Sequence, residues 1–286
     1  MGHDSIGGDF SARETYARAV ETWPLLRADT RAVYEGFAAG VRHYVRLHPQ
    51  DFPSWMKPDF TGLDAHAQGV QGWGRGEASA FVRRLGQAPG GGRPPQGRGR
   101  PDEPSFFDEP TYAPAVDVDP MRDGSNAWSF NGSRTRSGKA ILMRNPHLSW
   151  TAGYYEAHVV VPGVVDFYGD FRIGGVLGII GGFNRHLGWA TTNNAPANSQ
   201  IYALEADPAN ENHYMLDGRS HALQEQRTTV DYRTPDGGLA NETRTTLWTA
   251  HGPVIHQADG RIYILKDARR GEWRSGEQFL HMMMSS

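Results

Sequence analysis

Between residues 12 and 46 the apolar positions recur at three- and four-residue spacing, which predicts helix. Ala17, Val20, Trp23, Leu25 and Leu26 give a first apolar face, interrupted at Pro24. A second, clearer face follows Asp29-Thr30, a candidate N-cap, and runs through Val33, Tyr34, Phe37, Ala38, Val41, Tyr44 and Val45. Gly36 and Gly40 lie inside it, and each costs up to about 1 kcal/mol relative to alanine, so close helix packing is expected there. Pro49 to Pro58, with Phe52, Trp55 and Met56, reads as a proline-bounded aromatic loop, and a short helix is expected around Ala78 to Leu85.

From Ala88 to about Asp123 both periods vanish. Gly90-Gly91-Gly92-Arg93-Pro94-Pro95 and Gly97-Arg98-Gly99-Arg100-Pro101 can continue neither helix nor strand and have little to bury, so the stretch reads as a tether. Beyond it the pattern turns to strands. Ala127 to Gly132 and Ala140 to Met143 read as a pair joined by a turn at Arg136-Ser137-Gly138-Lys139. Tyr154 to Val161, Val165 to Ile173, Val176 to Phe183 and Leu187 to Thr192 follow as short strands. Val159-Val160-Val161 and Val176-Leu177-Gly178-Ile179-Ile180 look buried on both faces. Ile201 to Asp267 reads as a meander with turns at Asp217-Gly218 and Pro235-Asp236-Gly237-Gly238. The boundaries are thus residues 1–89, helical; 90–124, a Gly/Pro-rich spacer; and 125–286, β-rich.

Composition narrows the function classes. With 286 residues the chain can bury a real core, and a net charge of −3 offers no basic excess for a nucleic acid backbone or an anionic membrane. The absence of cysteine excludes thiol chemistry, disulfides and Cys-type zinc sites, though not any compartment. No run approaches the roughly 18 apolar residues of a membrane span, and Met1 to Phe10 has no apolar centre of the signal-peptide kind. His158 and His186 have no carboxylate or further histidine at ligand spacing, so no metal is expected, and no cofactor. The expected partner is a small neutral or weakly charged molecule.

The candidate chemistry sits at Gly124-Ser125-Asn126. A serine hydroxyl needs a base within hydrogen-bond reach. A free α-amine, with an unperturbed pKa of about 7.7–8.0, could be that base if the chain were cut at Gly124-Ser125. Glycine at the preceding position tolerates the strained backbone that lets the hydroxyl attack its own upstream carbonyl. The plain alternative is a turn entering a strand.

Several stretches, in order, bear on this choice: Gly124-Ser125-Asn126-Ala127-Trp128, Gly132-Ser133-Arg134, Ser137-Gly138-Lys139 and Asn145-Pro146-His147-Leu148. Tyr155-Glu156-Ala157-His158, Gly182-Phe183-Asn184-Arg185-His186-Leu187-Gly188-Trp189-Ala190 and Asp217-Gly218-Arg219 continue the series. Together they resemble the penicillin acylase family of N-terminal-nucleophile hydrolases, in its acyl-homoserine lactone and aculeacin acylase branch. The resemblance implies an α+β layered fold, the αββα sandwich of these hydrolases, here incomplete. Residues 1–89 would be the helical remnant of a first subunit, 90–124 the spacer, and 125–286 the start of a second. Both ends read as cut.

The resemblance also implies roles. Gly124-Ser125 is the cleavage bond, Ser125 the nucleophile, His147 the residue that orients its α-amine, and the Asn193 amide an oxyanion donor. Leu148, Trp150, Ile173 and Trp189 are candidate walls of an apolar acyl pocket, which Phe106, Phe107 and Tyr112 of the spacer could fill before cleavage. The family's second oxyanion donor, an asparagine side chain, and its supporting arginine fall beyond Ser286. Some relatives bind calcium just past Asn193, where Ala197, Asn198, Ser199 and Gln200 offer no carboxylate.

The implied activity is amide hydrolysis through an acyl-serine, on an N-acyl-homoserine lactone by preference, with penicillins or cyclic lipopeptides as alternatives. The two cleaved chains would form a heterodimer in the periplasm or outside the cell. Two rivals stand beside it. One is a truncated, inactive precursor or acyl-ligand-binding remnant; the other is a hydrolase using uncleaved Ser125 with His147, although no Gly-X-Ser-X-Gly elbow supports it.

Overall fold

A computed structural model describes residues 6–53, 59–85, 124–147, 153–173, 175, 177–192 and 198–285. The chain divides into two compact units that interleave along the sequence. The described parts of Met1–Arg18, Val70–Glu103 and Ala195–Glu272 make one, and those of Ala19–Gly69, Pro104–Asn194 and Trp273–Ser286 the other.

In the second unit, helix α1 (Ile6–Thr22) supplies its last turn and runs through a single 3-10 turn at Trp23–Leu25 to α2 (Ala28–Leu47). The break falls at Pro24, as the sequence predicts, because proline cannot donate to the preceding turn. Two details differ from expectation. Helix α2 starts before Asp29, and its N-terminus is capped by Glu277: Oε1 accepts from the Arg27 N–H at 2.9 Å and the Thr30 hydroxyl at 3.0 Å. Among the described residues, no atom from outside the helix backbone lies within 4 Å of where a Cβ would stand at Gly36 or Gly40, so the expected close packing is not seen there. Residues 54–58 of the proline-bounded loop lie outside the described residues.

The core on this side joins Leu26, Tyr34, Ala65, Leu177 and Leu280. Two helices that the apolar pattern does not announce contribute to it. The short α3 (Gly62–Ala67) carries a full capping box between Thr61 and Asp64. Residues Ser275–Met284 form the C-terminal helix of the described chain, α5 once the intervening α4 (Arg75–Leu85) of the first unit is counted.

The strands follow the expected order. β1 (Gly124–Phe130) and β2 (Ile141–His147) form a hairpin, and β3 (Tyr154–Val161), β4 (Val165–Arg172), β5 (Ile179–Phe183) and β6 (Gly188–Ala190) an antiparallel sheet in that order. Helix α5 covers one face of this sheet, where Met283 joins Phe167, Ile179 and Trp189. Leu177 to Ile180 are buried as expected. Val160 and Val161 are about half exposed instead, at 55% and 46%, because β3 is an edge strand.

The first unit holds seven antiparallel strands, β7 (Ser199–Ala206), β8 (His213–Leu216), β9 (Arg219–Ala222), β10 (Gln224–Arg233), β11 (Leu239–Thr249), β12 (Gly252–Ala258) and β13 (Arg261–Asp267), ordered β10-β11-β12-β13-β7-β8-β9. Its core joins Tyr214, Leu223, Ile262 and Ile264, and the start of α1 packs Ile6 and Phe10 against Val230. The α1 face therefore differs from expectation: Ile6 and Phe10 are buried while Val20 and Leu25 are exposed. Asp217 and Gly218 both take positive φ, 50° and 72°, as the expected tight turn requires. The mixed helix-and-sheet composition is thus the α+β class that the sequence predicts.

Candidate active site

The β1–β2 hairpin decides where the candidate chemistry lies. Its register pairs Gly124 with His147, Ser125 with Pro146 and Asn126 with Asn145. The ten-residue connection holds a 3-10 turn at Gly132–Arg134 and a left-handed Gly138 (φ 70°). A Cβ at Gly132 would stand 2.3 Å from the Gly138 carbonyl oxygen, so both glycines are needed to close the loop. The strand after the turn does return beside Ser125.

Side chains alternate between the faces of a strand, so this register sorts the ribbon. Asn126, Asn145 and His147 share one face. Each of the two carboxamide nitrogens stands 3.2 Å from His147 Nε2. A carboxamide nitrogen only donates, so in this arrangement Nε2 accepts and the ring proton is assigned to Nδ1. Ser125, Ala127, Leu142 and Arg144 belong to the opposite face. A Ser-His couple requires the ring nitrogen within hydrogen-bond reach of the hydroxyl. Here hydroxyl and ring leave from opposite faces and Nε2 is already engaged, which argues against the rival hydrolase with an uncleaved serine.

The Ser125 face is the one turned to the sheet. Arg144 Nη1 is paired with Asp170 Oδ2 on β4, and their side chains are 16% and 20% exposed. The guanidinium passes over Gly181, where a Cβ would lie 2.5 Å from Arg144 Nε and 2.8 Å from the Trp189 carbonyl oxygen. Leu142 Cδ2 stands 3.1 Å from the same point at Gly188. Asp170 and Gly181 are register partners on the sheet face away from α5, which covers Phe167. Ser125, half-buried, therefore projects from the ribbon face that meets this side of the sheet. On the same face His158 Nε2 lies 2.7 Å from Asp166 Oδ1, and that contact is the main cause holding the Asp166 carboxyl below its usual range. Among the described residues no group of His, Asp and Glu is arranged to hold a metal.

The candidate pocket walls are dispersed. Ile173 is exposed at the end of β4, while Trp189 is buried and stacked on Phe167, ring centroids 5.0 Å apart. Leu148, Trp150 and Asn193 lie outside the described residues, as do Ala197, Phe106, Phe107, Tyr112 and the spacer up to Asp123. Sequence reasoning missed the Arg144–Asp170 pair. Its signal was Asp170, which with Asp166 and Arg172 puts three charges into the strand run Val165 to Ile173; a charge there needs a partner if half-buried.

The model of the penicillin amidase family matches residues 2–285. The chain belongs to the penicillin amidase family. Among named relatives, an acyl-homoserine lactone acylase PvdQ of Pseudomonas fluorescens Pf0-1 is 28% identical over 274 residues, covering 91% of this chain and 34% of its own length. A second PvdQ, from Pseudomonas fluorescens Pf-5, is 36% identical over 172 residues, 57% of this chain and 22% of that protein. Aculeacin-A acylase of Actinoplanes utahensis is 26% identical over 270 residues, 89% of this chain and 33% of that protein. A solved thermostable penicillin G acylase from Alcaligenes faecalis matches 56% of the chain and 29% of its own, at 23% identity and a TM-score of 0.45. This member of the penicillin amidase family thus spans about a third or less of the length of these relatives. None of its described helices is long and apolar enough to cross a membrane.

Proposed function

We propose that this chain carries the nucleophile of an acylase that removes the acyl group from an N-acylated small molecule. The observation that carries the reading is register: Ser125 stands second in β1, directly after the glycine whose bond would be cut, and opposite the strand end formed by Pro146 and His147. In maturation the Ser125 Oγ attacks the Gly124 carbonyl carbon, and the C–N bond breaks as an ester forms. Water then releases the Gly124 carboxylate and leaves Ser125 with a free amine and hydroxyl.

In turnover the Ser125 Oγ attacks the substrate amide, its own amine passes the proton through water to the leaving nitrogen, and a second water frees the acid. The amine is a main-chain group and lies in the plane of the ribbon. His147, opposite Gly124, can therefore orient it although its ring leaves from the other face. The Asn193 N–H steadies the oxyanion; losing such a donor typically costs about 10²- to 10³-fold in rate. Leu148, Trp150, Ile173 and Trp189 would line the acyl site.

The named relatives favour N-acyl-homoserine lactones, hence quorum-signal degradation, over cyclic lipopeptides or penicillins as substrates. Since one methylene shifts preference by only about 1–3 kcal/mol, chain length is set by the pocket. The two cleaved chains would stay together as a heterodimer in the periplasm or outside the cell, without a cofactor. Denaturing electrophoresis of the purified chain should show two pieces, and Ser125→Ala should leave one piece that releases no acid from N-acyl-homoserine lactone. A Ser125→Ala chain that still split at this bond would remove the serine from the mechanism. His147→Ala should slow both steps, and unchanged rates would make it structural only.

A further inference from the structure

We propose that Arg144, held by Asp170 across Gly181, is a positioning residue for Ser125; the inference rests on the reading of Ser125 as nucleophile. Three observations converge on it. Arg144 is paired with Ala127, two residues along β1 from Ser125, and so projects from the same face of the ribbon as the nucleophile. Its guanidinium crosses from the ribbon to the Asp170 carboxylate on β4 with both side chains largely buried. The sheet is shaped to receive it: at Gly181 any side chain would collide with Arg144 Nε and Cζ, at 2.5 and 2.7 Å.

Among the described residues the ribbon pairs within itself and forms a separate two-stranded sheet, with no strand pairing to β3–β6. Side-chain contacts that join its face to the sheet include Arg144–Asp170 and Leu142 over Gly188. A two-stranded ribbon twists readily by itself. The ion pair removes that freedom two residues from the hydroxyl, where a displacement of 1 Å can cost about 10²-fold in rate.

The absence of native cysteine makes the test direct, since Ser125→Cys supplies the only thiol for a nitroxide label. Electron paramagnetic resonance of that label should show a slow component that sharpens in Arg144→Met and in Asp170→Asn, with no further sharpening in the double variant. Arg144→Lys, which keeps the cation, should recover part of the slow component and covers the case in which the methionine variant fails to fold. A label at Thr245→Cys, in the other unit, should not change. Superimposable spectra at position 125 with and without Arg144, or an equal change at 245, would overturn the proposal. In the chain with native Ser125, splitting after Gly124 should slow by about 10- to 100-fold in Arg144→Met, with Arg144→Lys recovering most of it. A native chain that never splits counts against the proposed function and leaves the label to judge the clamp. Equal splitting of the native and Arg144→Met chains overturns the clamp alone.

Discussion

Replacing Gly181 by alanine should be costly for a reason the structure makes specific. The new methyl would stand 2.5 Å from Arg144 Nε, 2.7 Å from its Cζ and 2.8 Å from the Trp189 carbonyl oxygen, all closer than real Cβ contacts. The carbonyl belongs to β6, paired with β5, and yields little; the arginine is the flexible neighbour and must swing away from Asp170. Breaking a fully buried ion pair costs roughly 3–5 kcal/mol and an exposed one about 0–1 kcal/mol. With 16% and 20% of the two side chains exposed, this pair stands between, at about 1–3 kcal/mol. Thermal unfolding should therefore fall by about 2–12 °C, at roughly 2–4 °C per kcal/mol for a domain of 150–250 residues. The informative comparison repeats Gly181→Ala in an Arg144→Met background, where the methyl still meets the Trp189 carbonyl but no guanidinium, so the loss should be smaller by about 1–3 kcal/mol, the ion-pair share. An equal loss in both backgrounds would place the whole cost on the Trp189 carbonyl and refute the reasoning.

Three further outcomes are expected. Glu277→Ala should destabilise the helical unit by about 1–2 kcal/mol through loss of the α2 cap. Glu277→Gln keeps an acceptor, so urea titration should give it less than half that loss. Asp207 accepts from Ser220 at 2.5 Å, Asn210 at 2.7 Å and the Ala209 N–H at 2.8 Å, and these bonds, Ser220's first, bring its carboxyl down to about 2. The folded value lies below the unfolded one, so this stability is present above pH of about 4 and lost as pH falls to about 2. The gap between the melting midpoints of the native and Asp207→Asn chains should close over that window, and a pH-independent gap would contradict it. His66 is fully buried, 2.9 Å from the Thr22 hydroxyl, and burial pushes its pKa down. The unfolded chain then takes up the proton first, so the melting midpoint should fall as pH drops below about 6.5, and His66→Phe should abolish that part of the slope.

Much of the β architecture was legible because its signals are local. The strands from Tyr154 and Val165 emerge at the predicted residues, and Asp217-Gly218 makes the turn that two positive φ values demand. What escaped depends on partners remote in sequence. The cap of α2 comes from Glu277, so no residue near Asp29 could announce where the helix begins. Gly36 and Gly40 looked like packing devices, yet among the described residues a Cβ at either would meet nothing within 4 Å. Helix α3 could have been found from Thr61 and Asp64, whose spacing is a capping signal. At the site, the sequence motifs brought Ser125 and His147 to the same hairpin end. The opposite facing of their side chains follows from the pairing parity, which a motif does not contain.

The central claim is that Ser125 works as a chain end. Intact mass measurement of the pieces from the purified chain tests it most directly. The account predicts a fragment whose mass begins at Ser125, with its partner ending at Gly124 or trimmed further upstream. A chain that hydrolyses N-acyl-homoserine lactone while its mass shows the Gly124–Ser125 bond whole would contradict it.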